Sequence, residues 1–415
     1  KWMFNILSYF IQKSFSIISI LSEREYRLFW IGAVFSNLGM WILISGRLWL
    51  MHLLTGSATM LGLLTFANTI PILIFSMWGG VLADKFNRLQ TIRFTRSLFA
   101  LQAFVTAALI ISNLMTPWLL ITIAFLTGML LAFDIPARQS IIADIVPKSR
   151  LLEAIVLYSI IFGASSVIGP AFFGPLVSTL GIASIFIVIG ITYVVTVITL
   201  FMMKQLKIRE SQATGSTWEN LLAGLSYVRH HRLISGLLLL SASGGIFGYS
   251  FTTVLPAFVD QILAGEVENY STLLFGLGIG GIIGTGTTGF LKAKTSPWTV
   301  QSIVAIGTGA GLILFSQTTT LLSSVAAICI LGLFTAVFRT SNNAFIQQSV
   351  EDQYRGRVMS IHQLSWGITS IGGLFTGALS SYAGVSTALM ISGLLFLALT
   401  LAIVLLRKPD RVSQQ

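Results

Sequence analysis

Apolar residues dominate this chain in stretches of about 20, long enough for helices that cross a bilayer, and short polar joints separate them. Twelve such stretches fall near 28–52, 58–82, 97–113, 118–141, 154–178, 182–203, 233–257, 271–291, 297–315, 321–346, 358–382 and 386–406. Lipid offers backbone groups no hydrogen bonds, so a spanning chain must be helical or a closed barrel. The runs are too long, and alternate too weakly, for barrel strands. The pattern predicts an all-α membrane protein with one transmembrane helix per stretch.

The longest polar joint, 204–232, divides the spans six and six. Its QATGS is linker-like in composition. STWENLLAGLSYVRHH after it reads as a short amphipathic helix, with Leu221, Leu222, Leu225, Tyr227 and Val228 toward membrane or protein. The two halves resemble each other. AFDIPARQSII (132–142) corresponds to VFRTSNNAFIQ (337–347), and Gly163 and Gly169 correspond to Gly367 and Gly373 at one offset of 204. The chain therefore divides into an amphipathic N-terminal segment (1–26), a six-helix bundle (27–203), the linker (204–232), a pseudo-symmetric second bundle (233–407) and a short tail (408–415). In transporters built this way the substrate site lies between the repeats, near the bilayer midplane.

Charge sharpens the picture. Only 9% of residues are charged, against about 25% in soluble domains. Of the 25 basic residues, 22 sit on alternate joints or at the termini. That split is the positive-inside signature and predicts both termini in the cytoplasm. The net charge of +11 thus reads as topology, and nucleic-acid binding is excluded as a class. Cys329 is the only cysteine, so neither an internal disulfide nor zinc-ligand spacing exists. His52, His230, His231 and His362 are not placed as ligands, and no metal or cofactor is expected. FGLGIGGIIG (275–284) mimics a dinucleotide fingerprint, but inside a span it reads as small-residue helix packing.

WGGVLADKFNRLQTIRFTR (78–96) joins spans 2 and 3. It resembles the signature loop of the major facilitator superfamily through Gly80, Leu82, Ala83, Asp84, Lys85 and Arg88. Asn87 stands where the family has glycine, and it tolerates a left-handed backbone better than other residues. The resemblance implies a cytoplasmic latch in which Asp84 meets the start of span 11 at Gly356-Arg357 and Arg88 pairs with Asp144. FDIPARQSIIADIVP (133–147) and RGRVMSI (355–361) are similar to the branch containing enterobactin exporters and macrolide-efflux proteins. Gly169-Pro170 with Gly174 resembles an antiporter element of span 5, one residue longer than usual, and with Gly163 forms the expected hinge and packing set. The arginine that many proton antiporters carry in span 4 is missing. Together these imply a secondary active transporter of a bacterial-type cytoplasmic membrane. The expected task is export of a drug-like compound or siderophore by alternating access, with proton antiport as the candidate coupling. A lysophospholipid flippase or an importer of the same fold is the alternative. A membrane enzyme would need paired carboxylates, clustered histidines or an activated nucleophile at membrane depth.

Three bases fall inside spans: Arg47, Arg138 and Arg339. Asp134 is the one carboxylate well inside a span, four residues before Arg138, and so the candidate proton carrier. Charges at membrane depth face cavities or partners. Arg47 has the alternative of snorkelling outward. With Trp41, Tyr249 and Trp366 as aromatic lining, these residues predict a cavity of positive excess, suited to an anionic or zwitterionic amphipathic molecule. The remaining expected partner is the bilayer itself, and the chain is expected to act as a monomer.

Overall fold

The computed structural model describes residues 19–85, 87–204, 217–291 and 296–406; within them, the side chains of 76–85, 217–221, 289–291, 352 and 364–366 lie outside the described set. The described chain is helical, without strands. The first bundle comprises α1 (Arg24–Thr55), α2 (Ala58–Lys85), α3 (Arg88–Ile111), α4 (Pro117–Ile145), α5 (Leu151–Leu180) and α6 (Ile182–Phe201). The second comprises α7 (Arg232–Leu263), α8 (Val267–Leu291), α9 (Pro297–Ser316), α10 (Leu321–Ser349), α11 (Asp352–Ala383) and α12 (Val385–Leu406). Eleven helices are long and apolar enough to cross a membrane among the described residues. The twelfth, α11, has 32 residues and contains part of the undescribed set.

Helix ends follow from local chemistry. Thr116 caps α4 and Ser296 caps α9, each with proline in the first turn, where no N–H is needed. Thr320 and Ser323 form a reciprocal capping box on α10. Gly56 ends α1 at φ +60, a conformation that costs glycine little. Asn87 departs from the sequence expectation. It is extended (φ −65, ψ 113), and its side chain accepts hydrogen bonds from the N–H groups of Leu89 and Gln90. Asparagine serves here as an N-cap for α3, not as a left-handed stand-in for glycine.

That cap starts α3 nine residues before the apolar run, so Arg93 and Arg96 belong to the helix and not to the joint. Likewise α11 begins at Asp352, so Gly356 and Arg357 lie a turn inside it, past the free N–H groups of its first turn. At the N-terminus, Ile20–Ser22 forms a short 3-10 turn and α1 already starts at Arg24; the first 18 residues of the expected amphipathic segment lie outside the described set.

Small residues allow close packing within each bundle. Gly128 of α4 lies against the Asn68 backbone of α2, and Gly280 and Gly284 of α8 lie against the Cys329 and Leu333 backbones of α10. The glycines that mimic a dinucleotide fingerprint thus seat one helix on another. The linker helix (Thr217–His230) rests on α11, with Gly224 against Arg357 and Ile361. Between the bundles, α2 packs on α11 and α5 on α8.

A central charge cluster and a closed seam

A helix rises about 1.5 Å per residue. Asp134 on α4 and Arg339 on α10 therefore both lie about 15 Å from the basic end of the molecule, the end that carries the α2–α3 joint. Asp134 is fully buried and holds three groups at once. Arg96 Nη2 lies 2.6 Å from Oδ2, Arg138 Nε 3.3 Å from the same oxygen, and the Thr95 hydroxyl donates to Oδ1 at 2.8 Å. Arg138 also donates to the Tyr158 hydroxyl at 2.8 Å. The Asp134–Arg138 contact spans the helical turn that holds Pro136. Arg96 is 2% exposed, which removes it from the orientation charges and makes it a fourth base at membrane depth. Sequence reasoning missed it because it follows Arg88 and Arg93 in a basic joint.

Arg47 turns inward, not outward: it is 7% exposed. Its Nη2 donates to the Thr127 hydroxyl at 2.7 Å, and its Nη1 reaches Asn68 Oδ1 at 3.5 Å. Gln102 Oε1 accepts from Thr127 at 2.8 Å. All the partners are neutral, and no ion pair to Arg47 occurs among the described residues. Its Nε, Trp41 Nε1 and the Tyr249 hydroxyl are buried polar atoms without a protein partner. Trp41 packs edge-on against Phe162.

Arg339 is exposed, with its guanidinium carbon 5.5 Å from the centre of the Tyr249 ring. Tyr249 follows a π turn, Gly244–Gly248, that interrupts α7. The extra residue of such a turn re-aims the side chains after it, and the Tyr249 N–H closes it on the Gly244 carbonyl. Trp366 lies among the side chains outside the described set. In the second bundle, 205 positions beyond Arg96 and Asp134, stand Gln301 and Arg339. Gln301 is fully buried and bonds to the Phe338 carbonyl and the Ser341 hydroxyl.

At the basic end Arg88 Nη1 lies 2.7 Å from Asp144 Oδ2, joining α3 to α4. The side chains of Asp84 and Lys85, and the surroundings of Gly80, lie outside the described residues. A Cβ built on Gly356 meets nothing within 4 Å, while Arg357 lies over the Tyr354 ring and against Gly224. The two bundles join at the opposite end. The Thr59 hydroxyl and N–H bond to Ser381, the His52 ring lies 3.5 Å from Asp260, and Trp49 stacks on Tyr270 at 5.4 Å. A Cβ on Gly62 would stand 2.7 Å from the Gly373 carbonyl. Gly169 packs against Trp41, Gly174 meets Ser271 across the seam, and Gly163 has nothing within 4 Å.

Comparison with known proteins places this architecture. Residues 15–415 match the family model described as transmembrane secretion effector. The chain belongs to this family of major facilitator superfamily transporters. It is similar to the staphyloferrin A transporter of Staphylococcus aureus, 27% identical over 372 residues that cover 88% of this chain and 91% of that one. It is 24% identical over 337 residues to the enterobactin exporter EntS of Shigella boydii, covering 79% and 77%. Among solved structures, the nucleoside transporter NupG superposes with a TM-score of 0.71 at 14% identity, covering 93% of this chain and 99% of that one. A bacterial homologue of the human lysosomal transporter Spinster, inward-facing and unoccupied, gives 0.67 at 15% identity and covers 95% of each. These two share the fold. Family members of this class are transporters and not enzymes.

Proposed function

We propose that this major facilitator superfamily transporter exports an anionic amphipathic molecule of the siderophore type across a bacterial cytoplasmic membrane. The observation that carries the reading is the charge balance at membrane depth. Arg47, Arg96, Arg138 and Arg339 stand against Asp134 alone, an excess of +3 among the described residues. A cavity with low-dielectric walls concentrates such a field and raises the local concentration of anions. Trp41, Arg47 and Tyr249 each keep a buried polar atom without a protein partner, a donor that cargo reaches once the walls part. Two relatives are named as a staphyloferrin A transporter and an enterobactin exporter, which supports the same class of cargo.

With the basic face in the cytoplasm, the closed seam is extracellular. Cargo then enters from the cytoplasm toward Arg339. Opening the seam while the α2–α3 joint, braced by Arg88–Asp144 within the first bundle, clasps the cytoplasmic side completes the cycle. Proton coupling through Asp134 requires both Arg96 and Arg138 to withdraw from it in another state.

The test is uptake into inside-out vesicles with an imposed pH gradient, using a citrate-based siderophore, a catecholate siderophore and ethidium. Accumulation of an anionic siderophore is expected, reduced at least tenfold by Arg339→Ala. Preference for ethidium, undiminished by that change, overturns the reading.

A further inference from the structure

The span-5 element G-P-A-F-F-G has one residue more than the antiporter spacing, and the structure gives that residue a purpose. In an α-helix each N–H points to the carbonyl four residues earlier. The extra residue puts Gly174 four after Pro170, so these two are partners in one helical bond. The Ser271 hydroxyl of α8 sits on that pair. It donates to the Pro170 carbonyl and accepts from the Gly174 N–H at 3.2 Å. One side chain of the second bundle is thereby inserted into the backbone ladder of the first, and it is fully flanked. Ser271 is 5% exposed, and Tyr270 beside it meets Phe173 edge-on and Trp49 face to face.

The seat requires glycine. A Cβ on Gly174 would stand 2.5 Å from the Ser271 Cβ and 2.8 Å from its hydroxyl, distances that force the helices apart. Proline supplies the other requirement. Pro170 has no N–H, so the Ser166 carbonyl one turn earlier loses its helical partner. That carbonyl lies against Gly278, seven residues beyond Ser271 on the same face of α8. The weak stretch of α5 thus faces α8 over two turns.

We propose that Ser271 is a positioning residue for transport: its hydroxyl, docked on the Pro170–Gly174 pair, holds the extracellular seam shut and sets how often it opens. It touches no cargo and acts through the geometry of α5. Its bonds exist only while α5 and α8 are in register at this end, so each outward opening must break both. Hydrogen bonds of this kind contribute about 1 kcal/mol each net. Their loss is expected to raise the outward-open population roughly fivefold to thirtyfold.

The experiment uses the full-length protein in cells, with Cys329→Ser as background and Thr65→Cys as reporter. Thr65 faces Thr253 across the seam, so an impermeant maleimide added outside reaches it when the seam opens. Ser271→Ala is expected to speed labelling at least fivefold without changing the amount of protein in the membrane. Ser271→Thr, which keeps the hydroxyl, is expected to label like the parent. Gly174→Ala is expected to speed labelling too, and Ser271→Gly in the same chain to reverse part of that effect by making room. No cargo is present, so the outcome is independent of what the protein carries. If Ser271→Ala labels at the parental rate, the hydroxyl does not hold the seam and the proposal is wrong. If Ser271→Thr labels as fast as Ser271→Ala, packing and not the hydroxyl controls the seam, which overturns it equally.

Discussion

Asp134 holds two guanidinium groups and a threonine hydroxyl inside the first bundle. Removing its charge leaves Arg96 and Arg138 facing each other without a counter-ion. Breaking a buried pair from one side costs about 3–5 kcal/mol. Asp134→Asn is therefore expected to lower the melting temperature in detergent by several degrees, and Arg96→Gln in the same chain to restore part of the loss. An Asn variant that melts like the parent yet transports without regard to the pH gradient would instead identify Asp134 as the proton carrier. The sequence allowed the Asp134–Arg138 contact, because a spacing of four puts both on one helix face. It did not disclose Arg96, because a base eight residues after Arg88 looks like one more orientation charge. The cap that moves it into α3 is a single side chain, Asn87, whose amide oxygen serves either a turn or a helix start. The second bundle holds the missed clue: Gln301, the position 205 beyond Arg96, is polar inside a span.

At the scale of the element, apolar runs disclosed every span to within a few residues except where polar residues continue a helix beyond the lipid. There α3 and α11 start early, at Arg88 and Asp352, and α7 runs on through Asp260 and Gln261 to Leu263. Hydropathy cannot register turns that need no lipid. The break in α7 escaped for another reason: Gly244–Gly248 is as apolar as its flanks, and a π turn has no composition of its own. The linker helix was legible by its amphipathic spacing, but its seat was not. His231 stacks on Tyr227 at 3.9 Å, Tyr227 on Tyr354 at 4.3 Å, and Arg357 lies 5.6 Å from the Tyr354 ring centre. Leu222 and Leu225 remain exposed, as suits a helix at the lipid surface. Aromatic pairs contribute about 0.5–1.5 kcal/mol each beyond their area. Tyr227→Ala is expected to speed hydrogen exchange in Thr217–His230 roughly tenfold while leaving α9 and α10 unchanged. Unaltered exchange in the linker helix would show that the stack does not hold it on α11.

For the whole molecule, alternating access makes the two ends opposing controls on one equilibrium. The seam opposite the basic end closes backbone to backbone: a Cβ on Gly377 would stand 2.5 Å from the Ala58 carbonyl. A valine there cannot fit unless the bundles part. Overpacking of this kind costs about 1–3 kcal/mol, a shift of roughly fivefold to 150-fold toward the outward-open form. The basic end, cytoplasmic on the proposed reading, is expected to contribute the opposite bias. Arg88 and Asp144 brace α3 against α4 at 2.7 Å, beside the joint proposed to clasp the halves when the outside is open. Arg88→Glu replaces attraction with repulsion there and is expected to favour the inward-open form. Neither change touches the membrane-depth arginines, so both are expected to slow transport while cargo binding in detergent stays within threefold of the parent. Spin-label distances across each end then carry the decision. Gly377→Val should lengthen the extracellular distance and shorten the cytoplasmic one, Arg88→Glu should do the reverse, and the double variant should lie between them. Distances that change at the mutated end alone would mean that the bundles flex locally and do not rock as two rigid bodies about a central site.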